Sequence, residues 1–336
     1  MRSAPHPNCI VCGSVGRSVY RDLNDRMFSA PGKWSIDRCS NTACGTLWLD
    51  PAPVPEDLGE AYRGYFTHVA KTNPRLSSLK RAYLTTRYAE NGARGIMDRL
   101  GAAVFALRFR RRMEADDQAA HTRKPKGKAV FLDIGCGSGD AMWLLGELGW
   151  ETIGVEFDAE AVAAARSRGL TVHEGDLLDQ KLETGSFDAV QLSHVIEHLP
   201  DPVATLKECH RILKPGGVLI MLTPNAEGLT HSLFGTNWMA LDPPRHLNIF
   251  TVASMRSLLG QAGFGRHEVT SSASGADRIA TMSLAIRGRG HAEGGENPSW
   301  LHKRAGRFIH AVESLATLFS SRVGDQLVVR ARKGRA

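Results

Sequence analysis

From Ala129 to Lys333 the chain alternates short apolar runs with amphipathic helices, and this alternation constrains the fold more than any other feature. "AVFLDIG", "ETIGVEF", "LTVHEGD", "FDAVQLS" and "VLIMLTPN" read as strands. Between them lie "DAMWLLGELG", the Ala-rich "DAEAVAAARSRG" closed by Gly169, and "VATLKECHRIL". Asp201 caps the last of these helices, Pro202 opens it and "KPGG" stops it. Repeated βαβ units call for a parallel, doubly wound sheet. "VASMRSLLGQAGF" then reads as a helix ending at Gly263, with "GRHEVTSS" and "DQLVVRARK" as the sixth and seventh strands. The expected fold class is α/β, a Rossmann-like seven-stranded sheet with helical insertions.

At 336 residues the chain exceeds one small domain, and 42% apolar with 23% charged residues suits a globular core. Three regions are expected. Residues 1–55 are a small module rich in Cys, Gly and Pro. Residues 56–128 are a helical linker region, with helices over 75–118 and a polar "HTRKPKGK". Residues 129–336 form the main domain, with an irregular loop at 226–250 and a helical insertion at 276–322. The first residues lack the apolar stretch of a secretory signal, and the longest apolar run, "GVLIML", is far too short to span a bilayer, so a cytoplasmic protein is expected. Six cysteines in that setting point to metal or redox roles rather than disulfides. The net charge of +7 gathers in "RFRRRM", "HTRKPKGK" and "VVRARKGRA", which are solvated faces or attract phosphate or an anionic membrane surface.

The loop after the first strand, "GCGSG", is the default ligand site of such a sheet. Gly135, Gly137 and Gly139 let the backbone turn sharply and approach a ligand. A dinucleotide fingerprint would need a glycine at position 140, where Asp140 stands, and a carboxylate at that helix start repels a pyrophosphate. Further acids follow in register. Glu156 ends the second strand, where a carboxylate can accept from ribose hydroxyls, and Asp176 follows the third. A rim of Asp133, Asp140 and Glu156 suits a cationic ligand.

Residues 130–225 resemble the class I S-adenosylmethionine-dependent methyltransferases. The resemblance rests on "LDIGCGSG", Glu156, "GDLLD", "SFDAVQLSHVIEHLPDP" and "RILKPGGVLIMLTPN". It implies S-adenosylmethionine as cofactor, with Asp133 and the loop of Gly135, Gly137 and Gly139 facing its methionine part. Glu156 then faces the ribose, and Asp176 with Leu177 the adenine. Phe157 and Ser193 complete the implied cofactor site, and Cys136 is a small filler in the loop rather than a nucleophile.

The acceptor side carries His194 and His198 in "SHVIEHL", candidate general bases that titrate near neutral pH. Alternatively, His198 and Glu197 cap and orient the next helix. Quinone-precursor O-methyltransferases have a similar Glu-x-x-Glu-His segment that can bind a divalent cation, but here His194 replaces the first Glu. "DPPRHLNIF" adds Arg245 and His246 in the long loop, a segment similar to one in methyltransferases of sugar and cell-surface glycan pathways. It implies that Arg245 or His246 contacts the acceptor, with Trp238 and Phe234 as apolar walls.

Cys9 and Cys12 are separated by two residues in "CxxC" spacing, and Cys39 and Cys44, with four residues between them, form a looser pair after 26 intervening residues. Two such turns can present four thiolates to a structural zinc, in a zinc-ribbon-like module. Similar modules precede some sugar methyltransferases. The expected function is methylation of oxygen or carbon on a small-molecule or saccharide acceptor, phosphate-bearing or lipid-linked. An RNA or protein methyltransferase is the alternative; "SHVIEHL" stands where Asn-Pro-Pro-Tyr would sit, which argues against nucleic acid. A non-catalytic binding protein on a relic fold is a third reading. No transmembrane segment is expected, and the basic helices could contact a membrane peripherally.

Overall fold

The structure, a computed structural model, describes residues 1–62, 127–292 and 298–335. The helices expected over 75–118 and most of the polar linker lie outside the described residues. The chain divides into two compact units: Met1–Phe66 with Ser193–Leu206 and Met221–Arg330, and Thr67–Leu192 with Lys207–Ile220 and Ala331–Ala336. Among the described residues, no helix is long and apolar enough to cross a membrane.

Five strands open the chain: β1 (Ser3–Ala4), β2 (Gly16–Leu23), β3 (Trp34–Cys39), β4 (Leu47–Leu49) and β5 (Ala52–Pro53). The alternating part follows as β6 (Val130–Ile134), α1 (Asp140–Glu147), β7 (Glu151–Glu156), α2 (Ala159–Ser167), β8 (Thr171–Glu174), β9 (Phe187–Ser193), α3 (Pro202–Ile212) and β10 (Leu213–Pro224). Then come α4 (Leu229–Phe234), β11 (Asn248–Ile249), α5 (Val252–Gln261), β12 (Arg266–Ser272), α6 (Ala276–Arg289), α7 (Trp300–Ala316) and β13 (Gln326–Arg332).

Seven strands form one sheet in the order β12-β13-β10-β9-β6-β7-β8, with β6 parallel to both β7 and β9, and β7 parallel to β8. The order reverses between β6 and β9, the switch point at which open sheets of this kind bind ligands. Phe131 and Ala189 from the sheet pack with Leu144, Leu145, Trp150 and Ile220 on one side, while Met142, Val162, Ala165 and Val172 form a second cluster with Cys136. The helix stops at Ile212, just before "KPGG", as read. β10 already begins at Leu213, and Gly216, at φ 80°, and Gly217 exchange backbone hydrogen bonds with Lys333.

Separately, β11, β4, β3 and β2 form a four-stranded sheet, each neighbouring pair antiparallel. The long loop therefore contributes a strand to the Cys-rich segment. The shared core holds Trp34, Ile36, Leu47 and Leu49 from the strands, with Phe234, Trp238, Leu241 and Leu247 from the loop.

The loop is locked by Arg245, whose side chain is fully buried. All five of its donors are engaged: Nε and Nη2 on Asp242, Nη1 and Nη2 on Asp25, and Nη1 also on the Ala61 carbonyl, at 2.6–3.0 Å. Its guanidinium lies 4.6 Å from the centre of the Phe28 ring. Asp25 in turn accepts from the backbone amides of Met27, Phe28 and Ala30. Burial alone would raise the Asp25 carboxyl, but the Arg245 hydrogen bonds and charge hold it below the usual range. The expected acceptor role of Arg245 is thus corrected, because a sealed guanidinium with no spare donor has nothing left to offer a ligand. The Trp238 ring is buried, stacks on His231, and donates its indole N–H to Thr230 Oγ1.

Removing one partner of such a pair leaves charge buried without compensation. Arg245→Ala is expected to lower the unfolding free energy by roughly 3–5 kcal/mol, measured by urea denaturation, and Arg245→Lys to recover only part, since an ammonium cannot span both carboxylates.

Candidate active site

The glycine turn is built by conformation. Gly135, Gly137 and Gly139 all have positive φ, at 68°, 52° and 82°. At Gly139 a Cβ would also lie 2.2 Å from Leu170 Cδ1, so this position excludes every side chain on two counts. Gly135 N–H donates to the Val155 carbonyl at 2.8 Å, which brings the turn against the end of β7. There the buried Glu156 carboxylate accepts from Gly137 N–H at 2.8 Å and from Asp158 N–H at 3.0 Å. The acid at the end of the second parallel strand therefore faces the glycine turn directly.

Asp133, near the end of β6, is buried and accepts from Gln191 Nε2 at 3.2 Å. Burial, with the nearby Glu156 charge, pushes its carboxyl up to about 7, although the Gln191 hydrogen bond works the other way. Burial also raises Glu156, against the two backbone amides that favour its charge. Two carboxylates that ionise reluctantly in one low-dielectric turn suit a positively charged ligand. The rim is smaller than expected, since Asp140 pairs with Arg168 at 2.7 Å and its charge is neutralised. Cys136 is buried and its thiol is pushed well up by burial, which keeps it a filler. After β7 the ring of Phe157 is exposed, as is Leu178 beyond the buried Leu177, leaving apolar surface open beside the turn. Asp176 uses Oδ1 to cap Leu178 N–H.

The second cluster follows β9, beginning immediately after Ser193. His194 has φ 56°, a left-handed backbone uncommon for a side-chain-bearing residue. Its side chain is half exposed; Nδ1 lies 3.3 Å from Glu197 Oε1 and Nε2 accepts from Gln326 Nε2 at 2.7 Å. Glu197 is fully buried, yet its carboxyl sits near 2. Burial pushes it up, but the His194 hydrogen bond and the surrounding histidines outweigh that. Its other oxygen accepts from Thr223 Oγ1. His198 and His246 lie edge to face with ring centres 4.8 Å apart, and each ties Nδ1 to a carbonyl, of Arg245 and Ala240 respectively. Burial and the neighbouring His246 push His198 down to about 4, so it stays neutral at physiological pH. Glu197, His198 and His246 each offer one ligand atom, all within 4.8 Å of one another, and could hold a cation; His194, in the place of the first Glu, hydrogen-bonds Glu197 instead.

The four expected cysteines also converge. Cys9 Sγ and Cys44 Sγ are 3.7 Å apart, Cys12 Sγ and Cys39 Sγ 3.3 Å, and all four lie within 4.8 Å. A tetrahedron with Zn–S bonds of about 2.3 Å has sulfurs about 3.8 Å apart, so the cluster has the size of such a site. Gly13 and Gly45, both at positive φ, shape the two turns. The turns dock on α5: Thr251 Oγ1 donates to the Cys44 carbonyl while capping the helix, and Gln261 Nε2 donates to the Val11 carbonyl.

The sequence reading assigned neither Gln191 nor Gln326, and it gave Glu197 a capping role or a place in the Glu-x-x-Glu-His-like segment. A polar residue inside the apolar run "AVQLS" was the available signal for Gln191. The i,i+3 spacing of His194 and Glu197 in a short helical turn was the signal for their pairing.

A family model of a methyltransferase domain matches residues 105–269. A protein of Mycolicibacterium smegmatis described as "Probable S-adenosylmethionine-dependent methyltransferase" is 33% identical over 158 residues, 46% of this chain and 58% of that protein. A ubiquinone biosynthesis O-methyltransferase of Xanthomonas oryzae pv. oryzae is 37% identical over 126 residues, 35% of this chain and 53% of that protein. The chain thus spans a little over half the length of these relatives. A solved SAM-dependent methyltransferase from Archaeoglobus fulgidus superposes over 69% of this chain and 99% of its own, with 21% identity and a TM-score of 0.46. Residues 105–269 thus match a methyltransferase-domain family, and the relatives are described as a probable S-adenosylmethionine-dependent methyltransferase and a ubiquinone biosynthesis O-methyltransferase.

Proposed function

We propose that the chain transfers a methyl group from S-adenosylmethionine to a hydroxyl of a small-molecule or saccharide acceptor. The observation that carries this reading is the Glu156 carboxylate on the Gly137 amide, with the buried Asp133 in the same turn. One relative's description as a ubiquinone biosynthesis O-methyltransferase supports oxygen on a small molecule as the acceptor atom. Asp133 and the glycine turn would hold the methionine part of the donor, Glu156 the ribose, and Phe157 and Leu177 with Asp176 the adenine. Bound donor supplies a methyl carbon made electrophilic by its sulfonium, and the carbon–sulfur electron pair leaves on sulfur as the acceptor oxygen attaches.

His194 takes the hydroxyl proton at Nε2. Glu197 at Nδ1 fixes the tautomer and stabilises the imidazolium that results. Gln326 donates to Nε2 in the resting chain and gives way to the acceptor. His198 and His246 hold Glu197 in place rather than exchange protons.

His194→Ala is expected to lower turnover by roughly 10²–10⁴-fold while calorimetry shows donor affinity unchanged; unchanged turnover would remove the base assignment. Donor affinity is expected to depend on pH through Asp133. A cationic ligand favours its ionised form, so below its resting value of about 7 binding must expel a proton. Affinity then falls as pH drops through 7, approaching about tenfold per pH unit, and levels off above. Asp133→Asn should weaken binding and flatten that profile, whereas Glu156→Ala with full affinity at every pH would sink the donor site.

The four cysteines are proposed to hold one structural zinc. With all four positions filled by thiolates, the ion has no open site for water and acts by bracing the turns on α5. Native mass spectrometry of freshly purified chain is expected to show one zinc per molecule, and Cys39→Ser to lose it together with thermal stability. A metal-free, fully stable wild-type chain would overturn the assignment.

A further inference from the structure

Helix α7 turns a face to solvent that ordinary packing would bury. Its inner side fits closely to α6. A Cβ on Gly306 would lie 2.2 Å from Thr281 Oγ1 and 2.5 Å from the Asp277 carbonyl, and the buried Glu313 accepts from Asp325 N–H at 2.6 Å. The outer side carries Leu301, Phe308, Val312 and Leu315, all exposed, with Phe308 71% accessible. At 100° per residue these four fall within an arc of about 60°. Beyond the helix, Leu318 and Phe319 continue the apolar surface at 75% and 84% accessible. A stripe of this length on one helix exceeds the scattered exposed apolar residues of an ordinary surface.

Charge on this element has one sign. From 300 to 322 the sequence has a single acid, Glu313, and it points inward. Arg304 and Arg307 are exposed along one edge of the stripe, and Arg322 follows Phe319. Exposed Trp300 starts the same edge, with the Arg304 guanidinium 5.7 Å from its ring centre. An apolar arc bordered by arginines and a tryptophan is the composition of a helix lying in the plane of a membrane interface. There the acyl region takes the apolar arc, the phosphates take the guanidinium groups, and the indole sits at headgroup level. A second copy of the chain fits less well, because a two-fold contact through this face would set the arginines against their own copies.

We propose that the outer face of α7, with residues 318–322, docks the protein peripherally on an anionic phospholipid surface.

The test uses the full chain with vesicles of phosphatidylcholine alone and of phosphatidylcholine with about 30% phosphatidylglycerol. The wild-type chain should co-sediment with the anionic vesicles, less so as salt is raised, and weakly with the neutral ones. Phe308→Glu and Leu315→Glu should each lower that binding by at least roughly tenfold. Arg304→Gln combined with Arg307→Gln should reduce the preference for anionic vesicles. All these positions are at the surface, so far-ultraviolet circular dichroism and donor titration should match wild type, which separates lipid docking from donor binding. A readout without charge substitution is the blue shift of tryptophan emission on vesicle addition, which Trp300→Phe should abolish while sedimentation persists. The proposal fails if the wild-type chain ignores anionic vesicles, or if folded Phe308→Glu binds them as wild type does. It also fails if the free chain is a dimer at sedimentation equilibrium that Phe308→Glu splits, since a second copy would then be the occupant.

Discussion

The Arg245 guanidinium is the interaction on which the cluster of Glu197, His198 and His246 depends. Two carboxylates, one carbonyl and one aromatic ring take up everything it can offer, and two of these partners, Asp25 and Phe28, come from the Cys-rich segment. The cost of desolvating three charged groups is offset only because every donor is matched. Its main chain extends the effect: the Arg245 carbonyl accepts from His198 Nδ1, and the next residue is His246. A residue first read as touching the acceptor therefore works one step behind, fixing where the histidines stand.

This arrangement also gives the N-terminal segment a reason to be ordered. Its strands β2, β3 and β4 are joined by the two-residue β11 from the long loop, and its cysteine turns rest on the cap and the last turn of α5. Trp34, Ile36, Leu47 and Leu49 of the segment bury their side chains against Phe234, Trp238, Leu241 and Leu247 of the loop. The loop and the segment stabilise each other, so neither is an independent appendage.

Legibility in the sequence followed the range of the physics. Strands β6, β9 and β10 were readable because burial on both faces writes a largely apolar run, and the glycine turn was readable because positive φ selects glycine. Glu156 could be placed because strand ends fall in register. The four cysteines could be grouped because ligand spacing is local. By contrast, β11 is two residues long and has no period to detect; it exists because Leu47 and Trp48 offer it partners. The burial of Arg245 depends on Asp25, 220 positions away, and no local pattern announces that an arginine beside two prolines will be sealed. "KPGG" stops the helix as read, but the pairing of Gly216 and Gly217 with Lys333, far along the chain, starts β10 earlier than the apolar run alone shows.

The two buried carboxylates, Asp133 and Glu197, show how one chain sets opposite charge states without a change of residue type. Asp133 has one amide donor and a neighbouring acid, so burial dominates and its proton is held up to about 7. Glu197 is buried as deeply, but His194, His198 and His246 surround it and Thr223 donates to it, so it stays ionised near 2. Depth of burial therefore does not decide protonation here; the partners do. A permanently ionised Glu197 can hold an imidazole in one orientation across the physiological range, which is what a base needs from its support. A carboxyl poised near neutrality is suited to a different task, waiting in a half-committed state for a cation to arrive and settle its charge. Asp133 thus lies among groups that offer it no positive charge, and Glu197 among groups that balance its own.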